Sequence, residues 1–236
     1  MADRLSLGCR IIEKIDRPDR AVVEKFRGLP SSNINDCLGR LYCMHGYIQP
    51  QNDRFLLGTA FTVKVPIGDN LFLHKALEMA QPGDVIVVDG GSGINRSLAG
   101  EIMISYLEQR GIAGIVVDGC LRDEDALRRM SIPVYCTGIT PQGPYKNGPG
   151  EINVPIACGG QVVFPGDILV GDADGIVVVR KEYAEEVAAA GRAKFDSEAI
   201  QLSDIQNNLS RYAAEHFEYV ENEMKKCNPV ILSSCT

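Results

Sequence analysis

Two short stretches hold the side chains best placed to do chemistry. In "GIVVDGCLRDEDAL" (Gly114–Leu127) a β-branched run ends in Asp118-Gly119, and a fixed cation and a carboxylate, Arg122-Asp123, follow side by side. Upstream, a helix beginning near Gly100 offers the backbone N–H groups of Glu101, Ile102 and Met103, which helix geometry leaves unpaired and ready for an anion. Each stretch follows an apolar run, and the two runs read as neighbouring strands of a parallel sheet. The C-terminal edge of such a sheet is where α/β proteins usually place ligands. A plainer alternative is that Asp123 caps its own helix while Arg122 makes a surface salt bridge.

Other motifs fail on detail. "VVDGGSGINRS" stands between a strand and a helix as a dinucleotide fingerprint would, but Arg96 occupies the third glycine position. "GGSGI" is no nucleophile elbow, because Ile94 replaces the last glycine. His45, His74 and His216 are scattered, and mid-helix His74 reads as a packing or hydrogen-bonding residue. Lys64 lies in a strand, where lysines ordinarily point to solvent rather than form Schiff bases.

The elements that must position these residues follow from periodicity. Arg17 to about Leu41 reads as two short helices separated by "GLPSSN", and "GTAFTVKVP" alternates as a strand. A helix "LFLHKALEMA", a strand in "QPGDVIVVDGG", a glycine-bearing loop "GGSGINRSLAGE" and a helix "IMISYLEQR" come next. The strand before Arg122, a helix over Asp123–Met130 and the strand "IPVYC" complete a β-α-β-α-β pattern. After Thr140, short strands between glycine turns predict antiparallel hairpins. Pro-Gly-Asp occurs twice, at Pro82–Asp84 and Pro165–Asp167, each time before an apolar strand. From Lys181 a single helix is expected to about Cys227, followed by a frayed tail.

A length of 236 residues with 45% hydrophobic content permits a substantial core. The net charge of −7 and the lack of a basic stripe argue against a nucleic-acid partner. Eight cysteines include no C-x-x-C pair, and Cys120, Cys136 and Cys158 adjoin apolar runs where a thiol packs as a small hydrophobe. No apolar run approaches the roughly 20 residues that span a bilayer, and the charged opening "MADRLSLGCRIIEKIDRPDR" does not read as a signal peptide. A soluble, cytoplasmic protein with reduced thiols and no membrane partner is expected.

"GDN" at Gly68–Asn70, "QPGDVIVVDG", Gly100-Glu101, "RGIAGIVVDGCLRD", "NVPIACGGQVVFPGD" and "DADGIVVV" carry a resemblance over about Ser31 to Arg180. The chain resembles the RraA-like family, which includes 4-hydroxy-4-methyl-2-oxoglutarate / 4-carboxy-4-hydroxy-2-oxoadipate aldolases and regulators of ribonuclease activity. The resemblance implies a layered α/β/β fold of the swivelling-domain type, with a mixed parallel and antiparallel sheet and a C-terminal helical extension. It suggests an α/β domain over residues 1–180 and the extension over 181–236.

It also implies chemistry. Asp123 would hold a divalent cation, Mg²⁺ or Mn²⁺, directly and through water. The amides of Gly100, Glu101, Ile102 and Met103 would hold the carboxylate of a 2-oxo acid, and Arg122 would donate to its keto oxygen. The pair would then be an enolate stabiliser and not a cap. Glu101 would position a water, and Asp36 and Glu198 would come from a neighbouring subunit of a homotrimer or homohexamer. The implied activity is a lyase that cleaves 4-hydroxy-2-oxo acids to release pyruvate and decarboxylates oxaloacetate through the same enolate. Ala126 departs from the acid often found there, leaving Glu124 or Asp125 to substitute. The rivals are a non-catalytic regulator that binds a ribonuclease and a lyase on this scaffold acting on another 2-oxo acid. Asp123 favours an enzyme, because regulator-type members tend to lose it.

Overall fold

Near-continuous runs of β-branched and apolar residues bury both faces of the central strands, and this builds the parallel heart of a mixed sheet. In the computed structural model, which describes residues 7–229, the chain begins with β1 (Cys9–Ile11), α1 (Arg20–Glu24), α2 (Ser31–Cys37) and β2 (Gln49–Pro50). It continues through β3 (Leu56–Lys64), α3 (Leu71–Met79), β4 (Asp84–Ala99), α4 (Glu101–Gln109), β5 (Gly114–Leu121), α5 (Glu124–Leu127) and β6 (Val134–Ile139). Short strands β7 (Gly150–Ile152), β8 (Ile156–Cys158), β9 (Gln161–Val163), β10 (Ile168–Asp172) and β11 (Gly175–Val179) follow. A 3₁₀ turn (Lys181–Tyr183) leads to α6 (Ala184–Asn207) and α7 (Leu209–Cys227).

Strands β3, β4, β5 and β6 pair in parallel. β7 and β10 join β3 antiparallel, and β10 forms a hairpin with β11. Because side chains alternate across a strand, Phe61, Val63, Ile86, Val88, Ile115 and Val117 face one way and pack with Leu73 and Leu77 of α3 and Ile104 and Leu107 of α4. Ala60, Val85, Val87 and Val116 face the other way, against Leu169, Ile176 and Val178 of the β10–β11 hairpin and Ile156 and Val163 of the β8–β9 hairpin. Helices cover one face of the sheet and hairpins the other, which is the expected layered α/β architecture with a mixed sheet and a C-terminal helical extension.

Both Pro-Gly-Asp turns work the same way. Gly83 and Gly166 take left-handed φ of 91° and 96°, and a side chain on Gly166 would collide with the Asp16 carbonyl. The following aspartates are buried and close their own turns, Asp84 accepting from Gln81 N at 2.8 Å and Asp167 from Phe164 N at 2.9 Å. Arg17 donates twice to Asp84, at 2.8 Å each, and Arg180 Nε lies 3.1 Å from Asp167 Oδ1.

Three expectations are corrected. The glycine-bearing loop is instead the continuation of β4, which bulges repeatedly yet returns to pair Ala99 with Leu121. The helix over Asp123–Met130 contracts to α5, because Asp123 itself takes a left-handed φ of 65°. The long C-terminal helix breaks at Asn208, whose φ of −142° and ψ of 49° are not helical. The chain forms two compact units, Met1–Gly191 and Arg192–Thr236. Residues 230–236, including Cys235 and most of the tail expected to fray, lie outside the described residues. The described cysteines are all free, and burial pushes the Cys136 thiol up to about 12. No helix among the described residues is long and apolar enough to cross a membrane.

Asp84→Ala removes three hydrogen bonds from a buried carboxylate and strands the partly buried Arg17. It is expected to lower unfolding free energy by about 2–3 kcal/mol, read from urea denaturation; a loss near zero would show that the turn forms without its carboxylate.

Candidate functional site

The site is built where two neighbouring parallel strands end together. β4 and β5 stay paired to Ala99 and Leu121, and Arg122 N donates to Ala99 O at 3.1 Å. The next residues of both chains, Gly100-Glu101 and Arg122-Asp123, therefore leave the sheet in contact. Gly100 is extended (φ −156°), so its backbone angles do not require glycine, but proximity does: an added Cβ would lie 2.7 Å from Arg122 Cγ and run into Asp123 Oδ2. Only a residue without a side chain lets α4 start this close to the arginine and aspartate.

Asp123 sits at the entrance to α5 but makes no side-chain bond to that helix. Its Oδ2 accepts instead from Glu101 N at 2.9 Å, capping α4, while Arg122 Nε lies 3.6 Å away. The plainer expectation, that Asp123 caps its own helix, is thus corrected. The shared strand ends set the α4 amide end within hydrogen-bond reach of Asp123. Of the amides expected to be free, Glu101 N is occupied by this bond.

A cavity of about 170 Å³ opens on one side of this ridge. Gly100, Ile102, Met103 and Arg122 line it, together with Asn70, His74 and Lys146, which sequence reasoning did not assign. Among the described residues, no carboxylate lines it. Among the described residues, Asn70 Oδ1 and His74 Nε2 are buried in its wall without a hydrogen-bond partner. Burial and the nearby Lys146 charge push the His74 pKa below 6.5. On the other side Glu101, Asp123, Glu124 and Asp125 line a second, acidic recess with Ala126 and Arg129.

No three His, Cys, Asp or Glu side chains converge as a metal cage among the described residues. The acidic recess nevertheless offers hard carboxylate oxygens with room beside them. Mg²⁺ is commonly held by one or two carboxylates and keeps several waters, so the donor set around Asp123 fits such an ion. Asp36, on α2, lines neither recess and pairs with Arg40 Nε at 3.0 Å. Glu198 belongs to the second unit, where it pairs with Lys194 at 3.0 Å.

A family model described as RraA-like, Aldolase/RraA, matches residues 31–178. The chain belongs to the RraA-like family. A relative in Halalkalibacterium halodurans, named "Putative 4-hydroxy-4-methyl-2-oxoglutarate aldolase", is 39% identical over 188 residues, covering 79% of this chain and 90% of its own. A numbered protein of the same name from Arabidopsis thaliana is 36% identical over 55% of this chain and 77% of its own. The crystal structure of Streptomyces coelicolor RraAS2, described as an unusual member of the RNase ES inhibitor RraA family, superposes with a TM-score of 0.71 at 29% identity. That match covers 80% of this chain and all of that one. Its relatives thus carry the names of aldolases and of an inhibitor family.

His74 supplies a test of the cavity wall. With its pKa depressed in the fold, the unfolded chain binds the proton more readily. Its contribution to stability is intact above pH 6.5 and is lost as pH falls toward the depressed value. Urea midpoints between about pH 5 and 7.5 are expected to fall more gently for His74→Gln than for wild type; identical slopes would mean that His74 is not held neutral.

Proposed function

We propose that the protein is a divalent-metal-dependent lyase that cleaves 4-hydroxy-2-oxo acids by a retro-aldol reaction to release pyruvate, and decarboxylates oxaloacetate at the same site. The observation that carries this reading is the meeting of Arg122, the open end of α4 and Asp123 on one ridge, with a carboxylate-free cavity on one side and an acidic recess on the other.

The amides of Ile102 and Met103 and the positive end of α4 suit a substrate carboxylate. Breaking the C3–C4 bond sends an electron pair toward the 2-keto oxygen. Arg122 stays protonated and donates from a fixed fork, so it stabilises charge that is fully developed only as the bond breaks. Losing CO₂ from oxaloacetate and losing a keto acid from the aldol adduct leave the same pyruvate enolate, so one site serves both. Mg²⁺ or Mn²⁺ held by Asp123 would add Lewis-acid stabilisation of that oxygen. Glu101, with Glu124 or Asp125 adjoining, would hold the proton of a nearby water.

Asp36 and Glu198 are proposed to act from a neighbouring subunit of a homotrimer or homohexamer. Large apolar side chains left exposed beside the cavity, Leu71, Ile102 and Tyr106, support a protein surface covering that rim. The same exposure would suit a regulator that binds a ribonuclease, but Asp123 and the cavity behind Arg122 favour the enzyme. A lyase of the same design acting on another 2-oxo acid would share every feature above.

Arg122→Ala is expected to cut oxaloacetate turnover by about 10²–10³-fold while the variant stays folded; ordinary turnover would end the assignment. Co-expressing Arg122→Ala with Asp36→Ala should recover part of the activity if each site draws on two chains, and no recovery would remove Asp36 from the shared site.

A further inference from the structure

Asp118 ends the β-branched run that leads to Arg122, and the proposed reaction leaves it without a part. Its carboxylate is nonetheless buried, at 5% exposure, and is held by neutral donors from separate parts of the chain. Oδ1 accepts from Ser92 Oγ at 2.7 Å, with Thr137 Oγ1 of β6 at 3.5 Å. Oδ2 accepts from Gly159 N at 2.8 Å and from Tyr47 OH at 3.3 Å. Gly159 turns the β8–β9 hairpin, and Tyr47 precedes β2.

The Ser92 bond falls where β4 departs from regular pairing. Asp89 pairs with Asp118 and Gly93 with Gly119, so Gly90, Gly91 and Ser92 loop out of β4 while β5 advances by one residue. Asp89 Oδ1 accepts from Gly91 N at 3.2 Å, and Ser92 takes a left-handed φ of 54°, uncommon for a residue with a side chain. Its hydroxyl reaches back to Asp118, the residue opposite which the loop began. One carboxylate on β5 thus closes the loop. Were the loop free to open or slip, everything beyond it, Ser97, Ala99 and Gly100 included, would fall out of step with β5.

Register matters to the site because its two halves come from different strands. The amides of Ile102 and Met103 follow β4 through α4, and Arg122 follows β5. A substrate whose carboxylate rests on α4 moves with α4. A shift of β4 against β5 therefore keeps the carboxylate contacts and carries the keto oxygen away from Arg122.

We propose that Asp118 is a positioning residue, which holds the β4 loop through Ser92 and so sets the register of α4 against Arg122. The proposal rests on the lyase reading for its kinetic consequence only. Asp118→Asn would set an amide donor among donors and can unfold the protein, so Ser92→Ala carries the test. In oxaloacetate decarboxylation with Mg²⁺, Ser92→Ala is expected to lower kcat by about tenfold and to leave KM nearly unchanged. Amide hydrogen exchange should quicken about tenfold at Arg122 and Glu101, which bond Ala99 O and Asp123, and stay as in wild type at Val87 and Val116 in the sheet centre. Ser92→Asn, which tolerates a left-handed backbone and keeps a donor, should recover part of both effects. Unaltered exchange at Arg122 and Glu101, or exchange that quickens equally at Val87 and Val116, overturns the proposal and leaves Asp118 a packing knot. Site-selective exchange in a protein that decarboxylates no oxaloacetate would instead keep Asp118 in its role and remove the lyase reading.

Discussion

The pairing of β4 with β5 out to Ala99 and Leu121 is the constraint on which the site depends. Had β4 left the sheet at Gly90, α4 would begin elsewhere and Arg122 would face no helix end. Because the strand bulges and returns, Arg122 N reaches Ala99 O, and the two chains emerge in contact. Gly100 then allows the contact to be close, and the left-handed Asp123 turns its carboxylate back to α4. A non-glycine residue in that conformation costs on the order of 1 kcal/mol or more. The Glu101 N bond and the pinned β5 end offset that cost, so the strain is held where the chemistry is proposed.

The ridge separates two electrostatic environments. Arg122, Lys146 and a histidine kept neutral face one side; Glu101, Asp123, Glu124 and Asp125 face the other. Arg122 and Asp123 are each less than half exposed at the side chain and sit 3.6 Å apart, a separation at which an ion pair of this exposure is weak. Neither is therefore neutralised by the other, and each stays available to its own side.

Much of this was legible in the sequence. The β-branched runs ending at Asp89 and Asp118 announced parallel neighbours, and the Pro-Gly-Asp turns announced where strands begin. Arg122, Gly100 and the α4 amides could be named because chemistry and strand ends coincide there. The β4 bulges were not legible: Gly90, Gly91 and Gly93 read as a loop, and only the tertiary pairing with β5 makes them strand. Asn70, His74 and Lys146 were missed because they reach the cavity from α3 and from a strap fastened by long-range bonds. Their one sequence signal was the neighbourhood of "GDN", which Asp69 uses to hold Asn147 and Gly148. Asp36 lines neither recess, and its expected role came from the family resemblance and not from its spacing in the sequence.

A ridge that stabilises a pyruvate enolate, as proposed, would also form that enolate from pyruvate itself. The most direct measurement is exchange of the pyruvate methyl protons in D₂O, followed by NMR with the protein and Mg²⁺, and again after EDTA. Exchange is expected to be rapid with Mg²⁺, to fall to the uncatalysed rate with EDTA, and to be lost in Arg122→Ala. Exchange at the uncatalysed rate in the Mg²⁺-loaded wild-type protein would contradict it.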